Sequence, residues 1–415
     1  KHIFEEYDQH NTLERSVPSL LAALGLAHDL GNPPFGHQGE SAIQAWFKKK
    51  QETVFGKELD SIYYQDFLNF DGNSQTIRLL TRLQILNDKF GIDLTYATLA
   101  GLIKYPQSSA LVTSTKQQAK EWEEKNPTVD KSENPHKVKW KKHGFFKSEE
   151  DIIKDVWKET GLQEGVRHPL TYVMEACDDI AYSILDAEDI VKKGLASFYD
   201  LMNHLKIYAS SEDDAKADPE ILNVVEQVET KNNQYVKAKL SPSELSEISM
   251  QMFRVYTMRA LVSGAVNAFA TNKNMIMDAD KQPKDLMSLS SGHHLCEALR
   301  SFDKKWGYQN KSVLKLELEG FNYIHELMDM LWLGIHGKLN DQSDKHSSET
   351  PFGKYAYEKI SENYRRVFED EENTLPVAYK EAQLLTDAIS GMTDSYLIAL
   401  HSELKLLYRD EHTST

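Results

Sequence analysis

Apolar residues in this chain recur at three- and four-residue spacing far more often than in strict alternation, and that period confines the fold to helices. The clearest case is 168–193, where Leu170, Val173, Met174, Cys177, Ala181, Ile184 and Leu185 share a face ahead of Gly194, predicting one long buried helix. Leu20–Ala27 is apolar almost continuously, which predicts a second buried helix, started by Ser16 or Ser19 beside Pro18 and stopped by Gly31. Further helices are expected at about 38–50, 75–90, 95–104, 149–162, 195–208, 219–230, 242–272, 321–335, 354–370 and 376–408. Strand signals are short, the best being Val313–Leu318. The fold class is therefore all-α. Between Thr113 and Lys147 nine lysines and two prolines replace the aliphatics, which reads as a polar insertion or loop. Residues 209–218 and 340–351 are shorter polar breaks, and no internal repeat is present.

Composition narrows the class of molecule. With 48 Lys+Arg against 64 Asp+Glu over 415 residues, the formal charge is −16, which disfavours a general phosphate-backbone binder. Two cysteines, Cys177 and Cys296, cannot make a disulfide framework and favour a reducing compartment, with the cytoplasm as the expected location. No window approaches the apolar length of a membrane span, and the start lacks the apolar core of a signal peptide. Because it opens on Lys1 rather than Met, the chain is expected to begin inside a longer protein.

The densest chemistry lies in Leu26-Ala27-His28-Asp29-Leu30-Gly31-Asn32-Pro33-Pro34-Phe35-Gly36-His37-Gln38-Gly39-Glu40. A helix ending in His28-Asp29 puts an imidazole and a carboxylate, donors suited to Mn, Fe, Mg or Zn, at the lip of an apolar core. The turn that follows is rigid at its prolines and permissive at its glycines. His37 and Glu40, three apart at the start of the next helix, share a face and can share a proton there. Farther on, Asp178 and Tyr182 are four apart on the 168–193 helix. An acid on an apolar face needs a cation, which for Asp178 is either that metal or a neighbouring Lys or Arg. Asp186, Glu188 and Asp189 read as a solvated face, and His293-His294 as a surface loop. Arg365-Arg366 reads as a salt-bridged pair on an amphipathic helix. There is no Walker-type or Rossmann glycine motif.

His28-Asp29 with the distant Asp178 resembles the HD superfamily of metal-dependent phosphohydrolases, and the whole run from His28 to Glu40 resembles the deoxyguanosine triphosphate triphosphohydrolases. Phe70–Arg78, Leu102–Pro106, Gly144–Glu150, Glu175–Tyr182 and Ser390–Asp394 are similar too, in the family's order and across most of the chain. The resemblance implies a single HD-type helical body over 1–415, with an HD core at about 15–195, a C-terminal helical region at about 219–410 and the polar insertion at 113–147. It implies that His28, Asp29 and Asp178 bind a divalent metal, Mg²⁺ or Mn²⁺, and that His37 and Glu40 handle the proton. Lys104 and Tyr105 would hold the triphosphate, Tyr182 the sugar, and Asn73 and Lys142 the phosphates or nearby water. The family's first metal-binding His precedes the His-Asp pair by more residues than the 27 present here; His2 and His10 lack its Thr-His-Ser setting, so that ligand is expected upstream of Lys1.

The implied activity is hydrolysis of dGTP, or of other dNTPs, at the α-phosphate to deoxynucleoside and inorganic triphosphate. Competing expectations are an HD phosphodiesterase acting on another nucleotide and a non-catalytic module that senses nucleotides or binds single-stranded DNA. The resemblance also implies a homo-oligomer, commonly a hexamer, with possible allosteric nucleotide or single-stranded-DNA contacts and no membrane partner. Nothing in the sequence itself supports those assembly details.

Overall fold

The computed structural model describes residues 13–84, 90–136, 139–210, 218–339 and 347–413; His2, His10 and most of the breaks at 209–218 and 340–351 lie outside them. The described residues are all-α. Their one extended pairing is an isolated bridge between Ser108 and Phe145. In chain order, helices α1 (Leu13–Ala27), α2 (Gly36–Lys49), α3 (Ser61–Leu68), α4 (Gly72–Arg78), α5 (Tyr96–Leu102), α6 (Ser109–Lys125), α7 (Pro169–Lys192), α8 (Pro242–Met277), α9 (His293–Phe302), α10 (Lys311–Ile335) and α11 (Val377–Ser390) carry the residues named above or pack against them.

Several sequence expectations change. Val313–Leu318 is the start of α10, not a strand. Its Leu-Lys-Leu-Glu-Leu-Glu alternation is built from strong helix formers, and in a helix it leaves Leu314, Leu316 and Leu318 exposed. Much of the lysine-rich stretch is helical too, because α6 covers 109–125, with the Ser108 hydroxyl capping its Leu111 N–H. α1 is not buried: an apolar run cannot put every side on the core, so Leu24 is buried while Leu26 is 83% exposed. α7 spans the predicted range, but its buried stripe runs through Leu170, Met174, Ile180 and Ile184 and leaves Cys177 and Leu185 outside it. Both cysteines are free. Glu188 is buried rather than solvated, held by Arg254 at 3.0 Å and Lys192 at 2.7 Å. His293 and His294 open α9 instead of lying in a loop. Arg365 and Arg366 are salt-bridged as expected, to Glu358 and Glu362.

The chain divides into two compact units, each assembled from two stretches of sequence. The first joins Lys1–Gly25, described from Leu13, to Pro169–Leu316. Its core gathers Tyr172, Ile180 and Ile184 of α7 with Phe253 and Leu261 of α8 and Leu295, Leu299 and Phe302 of α9. The second joins Leu26–His168 to Glu317–Thr415. Its core is aromatic: Phe47, Phe55 and Phe67 pack with centroids 5.2–5.8 Å apart, and Phe146 and Tyr379 pack on Phe67. Trp46 meets Trp332 edge-on and donates its indole N–H to Asp329 at 2.8 Å. Truncating one such ring to alanine costs ~3–5 kcal/mol, so this unit depends on both of its stretches.

Candidate active site

The turn at 28–31 is fixed by the middle of α4. The Thr76 hydroxyl donates to the His28 carbonyl at 3.0 Å and accepts from the Gly31 N–H at 2.9 Å. A Cβ at position 31 would lie 2.1 Å from the Thr76 nitrogen, so glycine alone fits. Held this way, the half-buried His28 imidazole and the exposed Asp29 carboxylate stand with Nε2 and Oδ2 3.2 Å apart. The hydrogen bond from His28 holds the Asp29 carboxyl below its ordinary range against partial burial, helped by the charge of Lys104.

The turn continues through Pro33-Pro34 to Phe35, which adopts the left-handed conformation at φ 62° and seats its ring against Gly320, where a Cβ would fall 2.5 Å from the ring. The Phe35 N–H donates to Asp394 at 3.0 Å. Gly39 packs so closely on Pro34 that a Cβ there would be 2.0 Å from the Pro34 carbonyl oxygen. These contacts aim the first turn of α2, which carries His37 and Glu40.

His37 Nδ1 lies 3.3 Å from Glu40 Oε2, as their spacing predicts. The ring is exposed while Glu40 is only 6% exposed. The other Glu40 oxygen accepts from the Gly72 N–H at 2.8 Å, at the start of α4. Lys142 Nζ completes the group, 3.2 Å from Glu40 and 2.5 Å from the buried Asp71. Burial works against the Glu40 charge, yet His37, Lys142 and the Gly72 N–H together hold its carboxyl below the usual range. The Glu40 hydrogen bond raises His37 above an ordinary histidine. Burial, then the charge of Glu40, pushes Asp71 up. Burial likewise works against the Lys142 charge, but Asp71 and Glu40 keep its ammonium more basic than usual.

Within the second unit the fold therefore brings His28, Asp29, His37, Glu40, Asn73 and Lys142 around the first turns of α4. Asn73 donates its side-chain amide N–H to Asp71 at 2.8 Å, and its backbone N–H donates to the same carboxylate at 2.9 Å, by which Asp71 caps α4. Lys104 and Tyr105 follow α5; the Lys104 carbonyl accepts from Arg167 Nε at 2.6 Å, and the Arg167 guanidinium lies over the Trp140 ring, 3.7 Å from its centroid. A Cβ on Gly144 would sit 2.0 Å from the Tyr105 carbonyl oxygen, so the 144 segment backs directly onto this one. Asp178 and Tyr182 belong to the first unit. Asp178 is half-buried at the edge of the α7 stripe rather than on its apolar face. Tyr182 is exposed, its hydroxyl 2.5 Å from that of Tyr308, which donates to Asp186 at 2.5 Å.

Asp71 and Arg167 are the site residues that periodicity and spacing do not single out. Asp71 carries one local sign, an acid just before Gly72-Asn73 where a helix cap belongs. Arg167, 1% exposed, carries none, because its partners lie far from it in sequence.

Over 412 aligned positions the chain is 32% identical to the deoxyguanosinetriphosphate triphosphohydrolase-like protein of Listeria innocua serovar 6a, covering 96% of this chain and 80% of the relative. It is 29% identical to the probable deoxyguanosinetriphosphate triphosphohydrolase of Pseudomonas aeruginosa, covering 92% and 77%. Against the deoxyguanosinetriphosphate triphosphohydrolase of Klebsiella pneumoniae subsp. pneumoniae the identity is 28%, covering 95% and 79%. No family model matches the chain. With the all-α fold, the His28–Glu40 turn and a relative this similar along almost its whole length, the chain belongs to the deoxyguanosine triphosphate triphosphohydrolase family.

Proposed function

We propose that the protein hydrolyses dGTP at the α-phosphate, releasing deoxyguanosine and inorganic triphosphate, with Mg²⁺ or Mn²⁺ as cofactor. The observation that carries this reading is the His37–Glu40–Lys142 group, built beside the His28–Asp29 donor pair in a member of this family. An imidazole nitrogen and a carboxylate oxygen 3.2 Å apart are a donor set that fits such a cation. In our proposal His28, Asp29 and Asp178 hold it, the last by family resemblance. When bound, the cation neutralises phosphate charge and polarises the α-phosphate.

The chain's own residues do the rest. With Nδ1 turned to Glu40, His37 keeps Nε2 for exchange with the substrate. Its raised pKa favours the imidazolium, and so the acid direction: as water adds to the α-phosphorus and the bond to O5′ breaks, Nε2–H protonates O5′, the proton lost by the added water passes to solvent, and solvent reprotonates the imidazole. Glu40 holds that ring in place. Lys104 and Tyr105 grip the phosphates, and Tyr182 packs on the sugar, where a ring crowds out a 2′-hydroxyl. Lys142 already faces two carboxylates, so a phosphate competes with Glu40 and Asp71 for it. Homo-oligomerisation, allosteric nucleotide or single-stranded-DNA contacts and a cytoplasmic location belong to the same proposal. Among the described residues no helix is long and apolar enough to cross a membrane.

The test is incubation with dGTP and Mg²⁺ or Mn²⁺. Inorganic triphosphate in equal amount to deoxyguanosine is the expected product. Pyrophosphate with dGMP sinks the bond assignment, and no turnover of any dNTP at full metal loading sinks the enzymatic reading.

A further inference from the structure

Asp66, on α3, is 1% exposed and touches none of the groups assigned to chemistry above. Its carboxylate accepts from three neutral donors. Ser109 Oγ donates to Oδ1, while the Lys147 N–H and the Tyr379 hydroxyl each donate to Oδ2 at 2.7 Å. A buried carboxylate is a costly way to fill apolar space. What it supplies that leucine cannot is two oxygens that tie separate chain segments together.

The tied segments are those that carry the phosphate-side residues. Ser109 comes four residues after Tyr105, and Lys147 five after Lys142. Between these ends the two segments already run side by side: the Gly144 N–H donates to the Gln107 carbonyl at 3.1 Å, Ser108 bridges to Phe145, and Gln107 Nε2 donates to the Lys142 carbonyl at 3.1 Å. Asp66 closes that pair from beneath, and Tyr379 anchors the clasp to α11.

We propose that Asp66 is a positioning residue that sets the separation of Lys104-Tyr105 from Lys142, and thereby the grip of the site on a triphosphate. This rests on the phosphate-side roles proposed above. It acts through the backbone and takes no part in proton transfer, so its loss weakens phosphate binding and spares the chemical step.

The experiment compares wild type, Asp66→Asn and Ser109→Ala. Asparagine keeps the shape but sets an amide N–H against two donors; alanine at 109 removes one donor alone. Calorimetric titration of each protein with inorganic tripolyphosphate and Mg²⁺ is expected to show affinity lower by about ten-fold for Asp66→Asn and about three-fold for Ser109→Ala, the scale of a sub-ångström misplacement. In dGTP turnover KM rises and kcat stays within about two-fold. A merely structural role lowers the melting temperature but leaves the affinity of the folded protein unchanged, and that result overturns the proposal. So does a wild type that binds no tripolyphosphate. If Asp66→Asn does not fold, Ser109→Ala decides alone. Should the affinity losses appear while wild type fails to hydrolyse dGTP, the clasp stands and the proposed activity falls; hydrolysis with unchanged affinities gives the reverse.

Discussion

At position 37 the fold biases a charge state, and the bias has a sign that can be measured. An imidazole raised above its ordinary pKa contributes stability that is fully present below about 6.5 and is lost as pH rises through the raised value. If His37 is the acid, kcat falls on the alkaline side with a midpoint above 6.5, and Glu40→Gln moves that midpoint down; a profile indifferent to Glu40→Gln contradicts the role. His37→Ala is expected to cost ~10²–10⁴ in rate while metal content stays intact, whereas Asp178→Ala loses the metal; metal analysis of the two purified variants checks both. Asp66 has a linkage of the same sign. Burial lifts its carboxyl to about 7, so between about 4 and 7 the folded state keeps a proton that the unfolded state releases, and stability falls as pH rises through that window. Denaturation curves at pH 4.5 and 7 are expected to show a smaller loss in Asp66→Asn than in wild type. The His37–Glu40 pair is legible in the sequence because its three-residue spacing survives any packing. Lys142 is legible only as a cation near a Gly-Phe-Phe run, because its real partners are 102 residues away at Glu40 and in another segment at Asp71.

Among elements, α4 is the hub. Its first turn receives Glu40 and caps itself with Asp71, its middle pins the 28–31 turn through Thr76, and its end plants Arg78 between Asp387 of α11, at 2.7 Å, and Glu149, at 3.0 Å. Removing that guanidinium strands two buried carboxylates. Arg78→Ala is therefore expected to cost about 3–5 kcal/mol in chemical denaturation, whereas Arg366→Ala, on an exposed pair, stays within about 1 kcal/mol. Gly31→Ala drives a Cβ into backbone and is expected to cost about 1–3 kcal/mol or more, with loss of metal as the His28 turn shifts. Helix spans such as α7 are readable from periodicity alone. The Val313–Leu318 and 113–125 stretches are not, because alternating leucines and clustered lysines still make good helix when neighbouring turns support them. Nothing in the Phe70–Arg78 sequence shows that one short helix will serve four separate contacts.

Over the whole molecule, helical class and family motif can be read from the chain, but which stretches share a core cannot, since that depends on contacts hundreds of residues apart. The second unit draws on 26–168 and again on 317–415, and its aromatic core needs both. A fragment of residues 1–168 is expected to remain unfolded alone, binding a dye for exposed apolar surface and showing weak near-ultraviolet dichroism, and to gain structure when 317–415 is co-expressed. A compact 1–168 fragment contradicts this. The same arrangement sets a clock on synthesis. Trp46 and its partner Asp329 are 283 residues apart, which at ~5–20 residues per second is a delay on the order of 15–60 s. Throughout that interval the nascent chain carries Trp46, Phe47, Phe67 and Phe70 past the ribosome without the helices that will cover them. In this protein the His28–Glu40 turn is translated long before the helix that covers Trp46, and its yield in the cell becomes a matter of what shields those rings meanwhile.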